Sequence, residues 1–587
     1  MRKSLSFLVI LSAGLLLTDC VSSKEAVVIR RIKLNAENVD SFNVTTDLET
    51  TKSIHTDRQA EYLSYDGEYV SIPENLYPDG QQHLSDPNPV SLAWDFDVPS
   101  GKSILRYSVA IGREPDLSDA YVVNGTTEKS IGIYNSYLGD NYFKIIANYT
   151  DGTSDSSKIQ KYQVEDVYPR NLKIDGMTNC RDMGGGRTLE DGGRIKQGMI
   201  YRTSGTHSWG NGRAVVPDTI TSSGKEELLN HLRCKTEINV NNSGSNQVGV
   251  DNFVDAYMYY DAGKHHLYRN AEPLKTVFHA LSDINNYPIF YHCRIGTDRT
   301  GLVAIMISGL LGVSENEIFQ DYLFSNFGNI QEKRYIGEKA GRDNILRYID
   351  DLKTYPGEKF QNKVYNCLLS IGVPAEELDS IIDILTEGNK ASGNNNQQEV
   401  VLAEDFEAED TEMKEITATS GNASRAHPKK YYTLGEDQSV TAYFNPQYTA
   451  KVALIAYLGS TDSSASKTIG DSISVNVDGS DFEVNERTFA DVGFGSGEGR
   501  TYYSPVILGE MNMTPGQTEV KITGVANNLN IGALALIPVE PVSSSNEPNN
   551  KDRVRGCFGS ITATVSLVSL VSVGVIGIMV SRRKKEE

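Results

Sequence analysis

Residues 287–301, YPIFYHCRIGTDRTG, place a cysteine directly after an apolar run and an arginine after five further residues. Residues 287–291 are aromatic and β-branched and read as a buried strand, whereas 300–311, TGLVAIMISGLL, is long and apolar enough for a core helix. The segment between them is then a strand-to-helix loop whose backbone N–H groups, with the positive end of the helix behind them, face any anion lying inside. Cys293 at its base feels the same field, which favours the thiolate and makes the sulfur a nucleophile toward phosphorus. Arg299 closes the loop and offers a planar fork to two phosphate oxygens, with the amides of Arg294, Ile295, Gly296, Thr297 and Asp298 completing the cradle. Gly296 permits a turn that a Cβ hinders, and Thr300 can donate its hydroxyl to the departing sulfur. The competing interpretations are a structural cysteine with an unrelated arginine, and a sulfurtransferase loop of rhodanese type, which is typically one residue shorter.

A phosphate ester needs a proton on its leaving oxygen. Asp298 within the loop is one candidate, and Asp261 in YYDAGKHH is the other. A salt bridge orienting Arg299 is the structural alternative for Asp298. His292 reads as a loop support. Arg181 and Asp182, beside three glycines, read as a structural turn, with loop fixation or substrate contact as the alternative. The chemistry requires neither a metal nor a cofactor.

HCRIGTDRTG resembles the signature of the tyrosine-phosphatase superfamily. With 179–185, NCRDMGG, and 191–202, DGGRIKQGMIYR, it is similar to the bacterial branch of tyrosine, serine and lipid phosphatases, over residues 170–388. That resemblance implies a phosphocysteine intermediate on Cys293, a mostly parallel sheet with flanking helices, and Asp298 as the loop acid. Two departures stand out. Thr297 occupies a position where members accepting phosphoinositides often carry Lys, and 237–241 reads EINVN where relatives commonly read D-L-R.

The rest of the chain must position and deliver this loop. Its 587 residues exceed one domain, and a net charge of −21 argues against nucleic acid as a partner. Residues 1–23 read as a secretory signal, with Cys20 as an alternative lipidation site. Residues 558–580 form an uncharged stretch of about 23 residues, enough to span a bilayer. The basic tail 581–587 places the C-terminus in the cytoplasm. An exported, surface-anchored protein of Gram-positive bacterial type follows. Residues 24–81 are polar, either extended or supplying an opening strand. Residues 82–168 alternate aromatic and β-branched strands with turns and resemble a fibronectin type III sandwich. The catalytic region is 169–388, with a capping box at 314–317, SENE, and an amphipathic helix at 376–385. A linker at 389–400 precedes a second all-β region at 401–540, which resembles galactose-binding-like jelly rolls used as carbohydrate-binding modules. A further linker spans 541–557. Glu407 and Glu409 are calcium-ligand candidates under that resemblance, against a solvated acidic edge, and Tyr502 and Tyr503 are candidates for stacking on sugar.

The expected fold is therefore multidomain: an α/β cysteine-phosphatase domain between two all-β sandwiches, with a C-terminal transmembrane helix. Expected partners are a phosphorylated protein or small phosphoester, a glycan at the C-terminal sandwich, and the membrane. Inositol phosphates are an alternative substrate, and a surface adhesin with a degenerate phosphatase domain is the alternative function. Cys180 and Cys293 are a candidate reversible disulfide.

Overall fold

The structure is a computed structural model and describes residues 37–207, 219–241, 244–259, 270–337, 345–388, 398–417, 428–492, 494 and 504–539. The signal segment, the apolar stretch 558–580, the basic tail, Asp261, Tyr502 and Tyr503 lie outside the described residues. Among the described residues no helix is long and apolar enough to cross a membrane.

The catalytic region is built on a five-stranded sheet of β1 (Arg181–Asp182), β2 (Ile200–Thr203), β3 (Thr236–Asn239), β4 (Asn252–Asp255) and β5 (Ile289–His292), in the order β1-β2-β5-β3-β4. β5 runs parallel to β2 and β3, β4 is parallel to β3, and β1 alone is antiparallel, on β2. The central strand IFYH is buried at every position, because both faces of such a sheet are covered and its strands read as continuous apolar runs. Ile289 and Tyr291 join one core cluster while Phe290 joins another with Tyr201, Cys180 and Leu228.

Among the described residues, helix α1 (Ala271–Leu281) lies between β4 and β5, and five helices follow β5: α2 (Asp298–Leu310), α3 (Glu315–Phe324), α4 (Ile345–Lys353), α5 (Phe360–Ser370) and α6 (Ala375–Leu385). α2 is buried from Thr300 to Leu310, which is why TGLVAIMISGL has no polar stripe. α3 begins at Ser314, whose Oγ accepts from the Glu317 amide at 3.4 Å. Gly309 faces α5 closely, since a Cβ there would lie 2.6 Å from Val364 Cγ2.

The N-terminal sandwich sets Phe42–Val44, Val90–Phe96 and Ser130–Ile133 against a larger sheet containing Ile104–Gly112 and Gly139–Tyr149. Trp94 is buried between them, its ring centroid 5.2 Å from Tyr107. The polar N-terminal segment takes two roles: residues 37–44 extend the sandwich, and the following chain lies on the catalytic region. Thr56 caps the short helix Asp57–Leu63 through a capping box. Tyr62, Tyr69, Ile72 and Tyr77 enter the catalytic core, and Tyr62 donates to the Gln320 carbonyl at 2.7 Å. Arg170 ties the two regions together, donating to the Ser136 and Asn135 carbonyls at 3.0 and 2.7 Å.

The C-terminal region forms two antiparallel sheets around a separate core. Its strands Ala450–Gly459 and Leu529–Pro538 are apolar on both faces. Val452, Leu454 and Leu458 fill the sandwich, whereas Ala453, Ile455, Tyr457, Ala533, Ala535 and Ile537 belong to the catalytic core. The alanines keep that face flat beside α5, and Asn366 Nδ2 donates to the Pro538 carbonyl at 3.3 Å. The Glu407 and Glu409 carboxylates are exposed and engaged by side chains: Tyr443 on Glu407 at 3.1 Å, Lys521 and Ser439 on Glu409 at 2.8 and 2.9 Å. Among the described residues no group of three His, Cys, Asp or Glu side chains could hold a metal ion, and neither Glu407 nor Glu409 belongs to such a group.

Because Tyr62 brings an N-terminal ring into the catalytic core, Tyr62→Ala should cost about 3–5 kcal/mol. Urea denaturation of the two proteins measures this directly.

Candidate active site

β5 ends at His292, and 293–297 turns the chain into α2, whose first residue is Asp298. Thr297 at the helix start makes no capping bond with its side chain, in contrast to Ser314 on α3. The first-turn amides of α2 are thus left to face the loop rather than a capping oxygen.

Four successive loop carbonyls are held from outside. His292 Nδ1 lies 3.0 Å from the Cys293 carbonyl, the Gly205 amide donates to Arg294 O at 3.0 Å, Asn179 Nδ2 to Ile295 O at 3.3 Å, and both Asn179 Nδ2 and Arg202 Nη2 to Gly296 O at 3.0 and 2.9 Å. In a planar trans peptide the following N–H points opposite its carbonyl, so the amides of Arg294, Ile295, Gly296 and Thr297 are turned toward the inside of the loop. Gly296 has φ +73°, and a Cβ there would sit 2.6 Å from the Thr203 carbonyl.

Asp321 on α3 holds the two side chains that reach beneath the loop. Its Oδ1 accepts from Arg181 Nε at 2.7 Å and its Oδ2 from Arg202 Nη1, while the Tyr168 hydroxyl adds a bond of 2.7 Å. Arg181 also donates to Asn179 Oδ1, which turns that amide so that Nδ2 faces the loop. Burial pushes the Asp321 carboxyl up, but Arg181 and Arg202 outweigh it and hold the group well below the usual carboxylate range. Two guanidinium charges against one carboxylate leave an excess positive charge directly under the phosphate cradle.

Cys293 is buried, at 2% exposure. Burial opposes its ionisation, yet Arg299 and the Thr300 hydroxyl and amide overcome burial and the Asp298 charge, and the thiol lies below its ordinary range. His292 is buried as well, with Nε2 2.9 Å from Glu237 Oε1. The two oxygens of Asp298 lie 3.2 Å each from Arg334 Nε and Nη2, so Asp298 pairs with Arg334 rather than simply orienting Arg299. Arg181 and Asp182 are both fully buried on β1 and point to different partners: Asp182 binds Arg170 at 2.8 Å and accepts from the Gly184 and Gly198 amides at 2.9 and 2.7 Å. They act as supports of the loop and of the Gly-rich turn.

Cys180 and Cys293 are both free thiols. Cys180 Sγ lies 3.3 Å from the Thr178 carbonyl and packs with Leu172, Tyr201 and Phe290, a cluster that does not contain Cys293. The proposed Cys180–Cys293 pair is not formed.

Four supports escaped the motif reading as functional residues: Asn179, Arg202, Glu237 and Asp321, with Arg334 as a fifth beside the loop. Asn179 and Arg202 lay within quoted motifs at their first and last positions. Asp321 carried a signal of its own, a lone acid in the aromatic run IFQDYLF. Arg334 had none.

Residues 229–383 match the family described as the tyrosine phosphatase family, a stretch that includes β3 to β5, the whole Cys loop and the helices that follow. This makes the chain a phosphatase-type enzyme. No curated protein matches the chain. Among solved structures, a family 35 carbohydrate binding module from Clostridium thermocellum is 15% identical, with 24% of this chain and 97% of that one covered at a TM-score of 0.18. The core catalytic domain of a PP-IP phosphatase from S. cerevisiae, in complex with citrate, is 16% identical, with 28% of this chain and 81% of that one covered at a TM-score of 0.18.

Two substitutions separate cradle shape from cradle support. Gly296→Ala should lower aryl phosphate turnover about a hundredfold through loop displacement while circular dichroism stays unchanged. Asp321→Asn leaves two buried arginines without their counter-charge and should cost about 3–5 kcal/mol, read by denaturant titration.

Proposed function

We propose that the chain is a surface-anchored, cysteine-dependent phosphatase that hydrolyses phosphate monoesters, with protein phosphotyrosine as its substrate class. The observation that carries this reading is the loop itself: four carbonyls pinned outward around a thiol that Arg299 and Thr300 shift toward the thiolate. In the first step Cys293 Sγ attacks phosphorus, the S–P bond forms and the P–O bond to the leaving group breaks. Arg299 and the amides of 294–298 take up the charge on the equatorial oxygens. A carboxylic acid donates its proton to the leaving oxygen. Water then attacks the phosphocysteine, the acid's conjugate base accepts a proton, and sulfur leaves as thiolate with Thr300 donating to it.

Asp298 and Asp261 remain the two acids, and their surroundings set them apart. Both Asp298 oxygens are engaged by Arg334, so a proton on either displaces a bond of the guanidinium fork. We therefore assign the proton transfer to Asp261, the other acid of the sequence reading, with Asp298 anchoring the start of α2. Placement outside the cell rests on residues 1–23 and 558–587, whose order of signal, apolar stretch and basic tail supports an exported domain with a cytoplasmic C-terminus.

Cys293→Ser should abolish hydrolysis of an aryl phosphate assayed with a chelator present, and equal rates in the two proteins would sink the mechanism. Asp261→Asn should slow phenyl phosphate far more than an ester with a strongly acidic phenol as leaving group. Asp298→Asn should slow both alike. Steady-state rates across a series of aryl phosphates distinguish the two.

A further inference from the structure

The departure at 237–241 puts an acid where it touches the catalytic loop. Glu237 on β3 stands in register with Phe290, and its side chain shares the face of Phe290 and His292, whose rings stack with centroids 5.9 Å apart. Glu237 and His292 side chains are each 1% exposed and meet at 2.9 Å through Oε1 and Nε2. The other nitrogen of the ring, Nδ1, is 3.0 Å from the Cys293 carbonyl. Carbonyl and carboxylate oxygens both accept, so a ring between them is satisfied at both nitrogens only when both carry hydrogen. The second carboxylate oxygen, Oε2, is buried and makes no hydrogen bond among the described residues. A carboxylate buried with a single hydrogen-bonding partner is tolerated when that partner carries the opposite charge.

We propose that Glu237 is a positioning residue that keeps His292 as an imidazolium, fixing its Nδ1–H on the Cys293 carbonyl and setting a positive charge beside the nucleophilic sulfur. The proposal rests on Cys293 being the nucleophile. Three titratable groups face the ring: Glu237, the Cys293 thiol and His207. Burial pushes His292 down, but the hydrogen bond and charge of Glu237 outweigh it, with the Cys293 carbonyl and thiolate adding to the same side, and the ring lies above the ordinary histidine range. Burial and the charge of His292 push His207 the other way, against the pull of Glu237. The His292 ring also holds the first of the four loop carbonyls, and so orients the Arg294 amide toward the phosphate.

Glu237→Gln keeps the size and one oxygen for Nε2–H but removes the charge. The pH dependence of Cys293 alkylation by iodoacetamide in the full chain should then move upward by about one unit, a roughly tenfold slower reaction near pH 6. In the same variant, kcat for an aryl phosphate should fall near pH 6 and recover toward pH 8, with KM unchanged. A purely structural role leaves the alkylation midpoint where it is, and that result overturns the proposal. The wild-type protein gives a second reading that needs no variant at Glu237: the ¹⁵N shifts of the His292 ring should show both nitrogens protonated from pH 6 to 7.5, and a neutral ring there overturns it as well. If Cys293→Ser retains turnover, the mechanism fails in the kinetic arm, while the alkylation and ¹⁵N arms still decide the role of Glu237.

Discussion

The carboxylate of Asp321 between Arg181 and Arg202 is the constraint on which the loop depends. A dianion can be held by backbone amides only if every carbonyl in the loop is turned away, and a carbonyl stays turned away only when a donor waits outside. Asn179 and Arg202 supply those donors for Ile295 and Gly296, and both are fixed through Asp321, one directly and one through Arg181. A buried pair of this kind contributes little net stability against well-packed apolar residues. What it provides is a single geometry for Asn179 and Arg202. The Tyr168 hydroxyl on the same carboxylate carries the constraint to the segment that joins the N-terminal sandwich to the catalytic region.

The modules around this centre are packed on it rather than strung beside it. Tyr62, Tyr69 and Tyr77 on one side and Ala453, Ala533, Ala535 and Ile537 on the other belong to the same apolar cluster as Cys293 and the α2 side chains. Protein interiors are close-packed and transmit small displacements. The rigidity demanded by four aligned carbonyls therefore draws on the N-terminal segment and on the C-terminal sheet as well as on the catalytic region itself.

How much of this was legible in the sequence follows from the range of the interactions. The Cys loop, the strand before it and the helix after it were readable because their chemistry is contiguous and their period local. The central parallel sheet was readable from IFY and from the long apolar helix. The docking of the sandwich left a trace that alternation alone overlooked: KVALIAYL and NIGALALIP are continuous apolar runs, and an antiparallel strand with one face in water should alternate. The N-terminal segment left less, because a few tyrosines spread through a polar stretch have no period. Glu237, Asp321 and Arg334 act on the loop across sequence separations of about 20 to 60 residues, and spacing rules such as the capping box or the Cys-to-Arg interval cannot reach that far. EINVN did break the family pattern, but only the pleat reveals that Glu237 and His292 share a face.

The same local architecture resolves an apparent conflict of charge. A chain with a net charge of −21 must bring a dianionic ester onto its surface. At physiological ionic strength charges farther than about 8 Å act weakly through solvent, so the acidic exterior is largely screened from a substrate already seated in the loop. Close to the nucleophile Arg299 favours the thiolate, and beneath the loop Arg181 and Arg202 face the single carboxylate of Asp321, with the uncapped start of α2 beside them. Buried charges are screened far less than exposed ones, and this asymmetry lets a handful of interior groups prevail over a larger number on the surface.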